Sequence, residues 1–326
     1  MTMPYQGSTA AVGRPGRIQP LLRACSVGAV GAATAVGGMA AFVAPTAADT
    51  VMDHNIAGAH SVGGAAGSTT HLQTMISRAQ GVGGWAGVLS LNEACGNQML
   101  YFISAAQNAG NTYSTGSYVS GANPAGCTLG FGNLIMAKTS GYTPTAVPWT
   151  YAYDSANITG PGMERKGGVC VSGGLGSPKY YACSTHLWPN VVFSPTVSRV
   201  GYKQQEWKQL AFNMAVWKTS AAKKPVVAGD FYLTRGEMVG MAIIDTPNWP
   251  NLFNESGACA VPNNNDATHI GSGRIDNVWF DRSFPCANNG APFDFNSSWF
   301  CMFDANWYES CNASDHRGIN SFNQLY

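Results

Sequence analysis

Apolar and polar positions alternate in short blocks along this chain, and the period of each block predicts an element. Thr50–Ala57 reads as a strand. Between Ser68 and Gln80 the apolar residues Leu72, Met75, Ile76 and Ala79 fall at helical spacing. Gly87–Leu91 is a brief apolar run, which predicts a buried strand ending at Asn92-Glu93. Cys95–Ala109 returns to a helical pattern, and Gly132–Lys138 to a strand. Gly168–Ser172 and Tyr180–His186 predict two strands joined by the turn-forming stretch Gly173–Pro178. Tyr202–Lys218 sets Trp207, Leu210, Ala211, Met214 and Trp217 on one helical face. Pro225–Gly229 and Ile275–Phe280 predict further buried strands, and Phe284–Asn312, rich in aromatics, Asn and Cys, reads as a disulfide-tied loop region.

These strands and helices interleave without a regular βαβ rhythm. The pattern predicts an α/β fold in which two mixed β-sheets pack as a sandwich, rather than a doubly wound sheet. No GxGxxG or GxxxxGK[ST] follows a predicted strand, so no nucleotide cofactor is expected.

Composition changes the picture in one respect. Apolar residues reach an ordinary 45%, but charged residues make up only 11%, against about a quarter in an average domain. A surface that relies on Asn, Ser, Thr and Gly fits a chain that folds once outside the cell. The N-terminus agrees: Arg14, Arg17 and Arg23 precede an uncharged Ala/Gly/Val run from Ser26 to Val43, then Pro45-Thr46-Ala47-Ala48. That order predicts a signal peptide over 1–48, cleavage after Ala48, one catalytic domain over 49–326, and a secreted, extracellular protein. A membrane anchor is the alternative, weakened by the glycines and alanines of the run. Removing 1–48 takes away three arginines and no acid, so the net charge of +1 becomes −2. A charge-driven nucleic-acid binder is thereby excluded, and any phosphate chemistry needs a bound cation. Eight cysteines remain beyond Cys25, an even number that reads as disulfides, and no CxxC pair suggests zinc. Cys170 and Cys183 flank the predicted hairpin turn and are candidates to pair.

Several polar residues end apolar runs: Glu93, His186, Asp230, Asp276 near the start of its run, and Asp315-His316. Each alone is ordinary, since a lone Glu after a strand is usually solvated and a lone His usually structural. Together, Asn55-Ile56-Ala57-Gly58, Leu91-Asn92-Glu93, Gly132-Asn133, Ser184-Thr185-His186-Leu187, Ala228-Gly229-Asp230-Phe231, Arg274-Ile275-Asp276-Asn277-Val278 and Ser314-Asp315-His316 resemble the ordered motifs of the endonuclease/exonuclease/phosphatase superfamily. That group includes DNase I-like nucleases, bacterial sphingomyelinases and inositol polyphosphate phosphatases. The resemblance runs from about Val51 to Ile319 and implies a DNase I-like four-layer fold, two mixed sheets flanked by helices.

The resemblance also implies roles. Glu93 and Asn55, with Asp315 as a further ligand, would hold a divalent metal: Mg²⁺ first, Mn²⁺ or Ca²⁺ as alternatives. His316 would be the general base, oriented by Asp276. His186 would protonate or stabilise the leaving oxygen, and Asp230 would orient water or phosphate. Phosphate contacts would come from Asn133, Tyr232 and a basic residue, either Arg165 or Lys166. Two positions depart from the family pattern. Tyr232 stands where Gly-Asp-Phe is usually followed by Asn, and His54 stands before Asn55 in place of an aromatic residue. His54 is expected to be a strand residue rather than a ligand.

These features imply a phosphodiesterase, most simply a nuclease acting on DNA or RNA as a monomer. A sphingomyelinase-like enzyme is the alternative, with Trp299-Phe300 and Trp307-Tyr308 as membrane-docking candidates. A binding protein on the same fold, supported only by Tyr232, is the third.

Overall fold

A computed structural model of the chain describes residues 50–56, 72, 76, 80, 85–122, 127–139, 146–158, 163–173, 180–189, 192–194, 197–198, 201–219, 223–255, 276–284, 293–294 and 319–322. All belong to the unit Val43–Tyr326. The elements, in chain order, begin with β1 (Thr50–Asn55), β2 (Val88–Cys95), α1 (Gly96–Asn108), β3 (Tyr113–Val119), β4 (Phe131–Lys138), β5 (Val147–Thr150) and α2 (Ala152–Asn157). There follow β6 (Gly167–Gly173), β7 (Tyr180–His186), β8 (Val192–Ser194), β9 (Val197–Ser198), α3 (Tyr202–Thr219) and β10 (Lys224–Asp230). The last are α4 (Arg235–Asp245), α5 (Trp249–Leu252), β11 (Phe253–Glu255), β12 (Asp276–Asp281), β13 (Phe293–Asp294) and β14 (Ile319–Phe322).

Two mixed sheets hold most of the strands. One has the order β13-β14-β1-β2-β4-β3, the other β11-β12-β10-β7-β6-β5. Each has one parallel pair at its centre, β1 with β2 and β7 with β10. The side-chain period of two explains how they stack. Val51, Val88, Ile135 and Ala137 of the first sheet meet Val169, Val171, Ala182, Val226, Ala228 and Val278 of the second in one dry layer. Met52, Leu89, Leu91, Leu134 and Met136 point the other way, against Met99 and Phe102 of α1 and against Leu72 and Ile76. Tyr181, Cys183, Val227 and Trp279 point outward from the second sheet against Trp207, Leu210 and Met214 of α3, Met238 of α4 and Trp249 of α5. This is the two-sheet sandwich flanked by helices that the residue pattern predicts.

The alternation also builds the site. Counting inward positions along each strand, apolar residues give way at one end to polar ones: Asn55 on β1, Asn92 on β2, Asn133 on β4, His186 on β7, Asp230 on β10 and Asp276 on β12. In the second sheet, register places Asp276, Asp230, His186 and Gly167 in a single row. Ser90 donates to Ser184 across the layer at 2.8 Å, closing the apolar core below that row.

Most predicted elements are present; Leu72, Ile76 and Gln80 are helical, as the spacing over Ser68–Gln80 predicts. One boundary needs correction. The strand expected to stop at Asn92-Glu93 runs on to Cys95, because a bulge between Leu91 and Ala94 lets pairing with β4 resume. Cys170 and Cys183 do pair, at directly opposed positions of β6 and β7, and Cys95 pairs with Cys127. The predicted export segment 1–48, most of the aromatic stretch after Phe284, and Cys259, Cys286, Cys301 and Cys311 lie outside the described residues.

Candidate active site

Six inward polar side chains at one edge of a sandwich must satisfy each other or face solvent. Here the amide of Asn92 does much of the joining. Its Nδ2 donates to the Thr185 carbonyl at 2.9 Å, Ser184 Oγ at 3.2 Å and Asn133 Oδ1 at 3.3 Å, while its Oδ1 accepts from the Asp230 backbone N–H at 3.1 Å. Asn133 Nδ2 in turn donates to the Gly167 carbonyl at 3.1 Å. Asn55 Nδ2 donates to Asp230 Oδ2 at 3.0 Å, linking the two sheets at their metal-ligand and phosphate-orienting candidates. The role of Asn92 escapes sequence reasoning. Its signal is a lone Asn on the inward parity of an apolar strand.

The bulge in β2 turns Glu93 toward this row. Glu93 adopts φ 52°, a left-handed conformation that is uncommon for a residue with a Cβ, costing on the order of 1–2 kcal/mol. Its Oε1 lies 3.6 Å from His186 Nε2, and Asp230 Oδ2 lies 3.7 Å from the same nitrogen. Both exceed hydrogen-bond length, leaving the ring nitrogen and two carboxylates around a common space.

His186 is buried at the end of β7, and its other nitrogen meets Lys166. The Lys166 Nζ sits 3.1 Å from Nδ1 and 3.4 Å from Nε2. An ammonium has only donors, so it meets the ring as a donor, while Glu93 and Asp230 lie on the Nε2 side. Lys166 is itself buried and donates to Glu164 Oε1 at 2.6 Å. Burial works against its charge, but Glu164, Glu93 and Asp230 outweigh burial and hold the ammonium above its ordinary value. A permanent cation thus stands inside the cleft.

Lys166 and Arg165 both line the cleft; Lys166 also touches His186, whereas the Arg165 Nε donates to the Ile158 carbonyl at 2.7 Å. Tyr232 also has φ 49°. Its ring stacks on His186 with centroids 5.9 Å apart and planes inclined by 21°. Its backbone is tied on both sides: its N–H donates to Asp230 Oδ1 at 3.2 Å and its carbonyl accepts from Lys203 Nζ at 2.6 Å. Asn, which the family pattern favours here, tolerates this conformation better than Tyr.

Asn55, Glu93, Asn133, Lys166, His186, Asp230 and Tyr232 are therefore brought together, and Asp276 joins the row opposite Asp230. His54 is a buried residue on the Met52 side of β1, away from the cleft. Asp315 and His316 lie outside the described residues.

No group of three or more His, Cys, Asp and Glu side chains able to hold a metal occurs among the described residues. The donors present still suit a hard cation. Glu93 offers a partly exposed carboxylate and Asn55 an amide at the same strand ends. Mg²⁺ is commonly held by one or two carboxylates, with waters and substrate phosphate filling the remaining positions.

No protein-family model and no curated protein sequence matches the chain. Solved structures do. The endonuclease/exonuclease/phosphatase from Beutenbergia cavernae is 17% identical, with 85% of this chain and 71% of that one covered and a TM-score of 0.57. The human Nocturnin catalytic domain with a bound sulfate anion is 13% identical, covering 86% and 94%, with a TM-score of 0.58. TDP2 of D. rerio, complexed with a single-stranded DNA product, is 13% identical, covering 84% and 98%, with a TM-score of 0.53. With its sheet order and flanking helices, the chain has the DNase I-like fold of the endonuclease/exonuclease/phosphatase superfamily.

Proposed function

We propose that this chain is a secreted, divalent-metal-dependent phosphodiesterase that hydrolyses DNA or RNA. The observation that carries the reading is the His186 cluster. One imidazole has Lys166 on Nδ1 and presents Nε2 to Glu93 and Asp230. That arrangement suits an anion entering between the carboxylates and the ring. The single-stranded DNA product bound to the D. rerio TDP2 structure supports nucleic acid as the substrate class.

The roles then follow from the chemistry. Glu93 and Asn55, joined by Asp315, would hold the cation, with Mg²⁺ the ion such donors prefer. When bound, the cation neutralises charge on the phosphoryl oxygens. His186 stabilises the phosphate or leaving oxygen by a hydrogen bond, and the Lys166 ammonium offsets developing negative charge. Asp230, held by Asn55 and by the N–H of Tyr232, orients the attacking water. His316, backed by Asp276, takes the proton from that water. The new P–O bond forms opposite the one that breaks, and the leaving oxygen departs hydrogen-bonded to His186 and takes its proton from solvent.

A phospholipid substrate is the second reading. It is favoured by Val119 and Leu129, exposed by 51% and 69% beside the cleft-lining Ser120 and Phe131. One panel separates the two: purified, disulfide-intact protein with Mg²⁺, offered supercoiled plasmid, RNA and sphingomyelin vesicles. Nicking or RNA cleavage abolished by chelator is expected. Phosphocholine release without nucleic-acid cleavage would transfer the proposal to lipid, and no hydrolysis of any of the three would overturn it.

A further inference from the structure

Behind the cleft lie two acids that the proposed reaction does not use. Asp154 on α2 and Glu206 on α3 are both fully buried, and both accept from Trp188, one from its indole N–H and the other from its backbone N–H. Burial and the charge of Asp154 hold the Glu206 carboxyl well above its ordinary value, so two acids placed this way favour keeping one proton. The pair has a defined grip. Asp154 Oδ2 accepts the Lys166 backbone N–H at 2.5 Å and the Trp188 Nε1–H at 2.6 Å. Glu206 Oε2 accepts the Trp188 backbone N–H at 2.9 Å. Trp188 follows His186 by two residues, and its ring carries the Lys166 ammonium 4.9 Å from its centroid. The acids therefore hold both approaches to one contact, the chain entering β6 through Lys166 and the chain leaving β7 through Trp188.

We propose that Asp154 and Glu206 form a proton-sharing positioning pair that sets the Lys166 ammonium against His186. The proposal rests on the reading of the cleft as a phosphodiesterase centre. Asp154 accepts two N–H donors on one oxygen and is the anionic member. Glu206 accepts one and is the neutral member, because burial and the charge of Asp154 push its carboxyl well above the ordinary value. A glutamine at 206 reproduces the neutral acid, with an amide N–H for Asp154 and an oxygen for the Trp188 N–H. A leucine at 206 fills similar space and supplies neither.

Two measurements test this separately from the proposed activity. Infrared difference spectroscopy of wild type against Glu206→Gln at neutral pH is expected to show the C=O stretch of a neutral carboxylic acid in the wild type alone. The ¹⁵N resonances of the His186 ring are expected to move in Asp154→Asn and stay in place in Glu206→Gln. Kinetics add the functional arm. Glu206→Gln keeps kcat within about threefold, while Glu206→Leu and Asp154→Asn lower it by about tenfold to a hundredfold with little change in KM, as misplacement of a reacting group does. Absence of the acid band, or His186 resonances and kcat unmoved by Asp154→Asn, would overturn the pair. An inactive wild type with the band and the ¹⁵N shifts present would leave the pair standing and sink only the catalytic reading. If Glu206→Leu fails to fold, the Gln and Asn variants still decide.

Discussion

The Lys166 ammonium sits 3.1 Å from His186 Nδ1, while the neighbouring Arg165 guanidinium turns to the Ile158 carbonyl. In the proposed reaction, charge assistance to a phosphate therefore falls to Lys166. Lys166→Met is expected to lower kcat by about a hundredfold, as loss of one transition-state donor does, and Arg165→Met by less than about threefold on the same scale. Steady-state kinetics on a nucleic-acid substrate checks this, and the reverse order would contradict it. Glu206 makes a second prediction. The folded protein keeps a proton that the unfolded chain releases above its ordinary value of 4.5. The stability tied to that proton is whole below this value and declines as pH climbs toward the raised folded value. Glutamine has no such proton to lose. The melting temperature of Glu206→Gln should therefore improve relative to wild type as pH rises from 4.5 toward neutrality; a constant difference would argue against a protonated Glu206. At this scale the sequence discloses unevenly. Glu93, His186 and Asp230 stand at the ends of apolar runs and are legible. Asp154 and Glu206 are not, because single acids in helical stretches ordinarily face water.

At the scale of elements, the site depends on how closely β7 and β10 approach. A Cβ on Gly229 would lie 1.9 Å from the Thr185 carbonyl oxygen, so Gly229→Ala must part the two strands that carry His186 and Asp230. A loss of about 1–3 kcal/mol in denaturant unfolding is expected from such overpacking. Gly240→Ala on α4 meets nothing within 4 Å and should stabilise by up to about 1 kcal/mol through helix propensity. Equal effects of the two would mean that the strand contact is not tight. A strand with an unbroken apolar middle, such as Pro225–Gly229 of β10, is legible from hydrophobicity. Others are hidden for physical reasons. β2 continues past Asn92 because backbone pairing, not hydropathy, ends a strand, and the bulge is invisible to a period of two. β3 sets Ser-Thr-Gly-Ser between Tyr113 and Tyr118 and carries little apolar signal. Helix α4 buries only Met238 and Ala242, while exposed Ile243 and Ile244 blur its face. Its Thr234–Glu237 capping box is the local signature that marks its start.

For the whole molecule, each sheet carries a disulfide near the strands that bear the site, Cys95–Cys127 at the end of β2 and Cys170–Cys183 between β6 and β7. Their sequence separations of 32 and 13 close loops worth about 3–4 and about 3 kcal/mol by chain entropy. The double variant Cys170→Ala/Cys183→Ala should lose roughly that smaller amount in denaturant unfolding, and a loss near zero would show that strand pairing alone suffices. The sandwich, its cores and its polar edge bring one imidazole, one ammonium and two carboxylates around a common space. The most direct test is metal-dependent hydrolysis of a plain phosphodiester, bis(p-nitrophenyl) phosphate, by wild type and His186→Ala. The account predicts turnover with Mg²⁺, none with chelator, and a fall of about a hundredfold or more in the variant. Equal rates for the two proteins, or turnover indifferent to chelator, would contradict it.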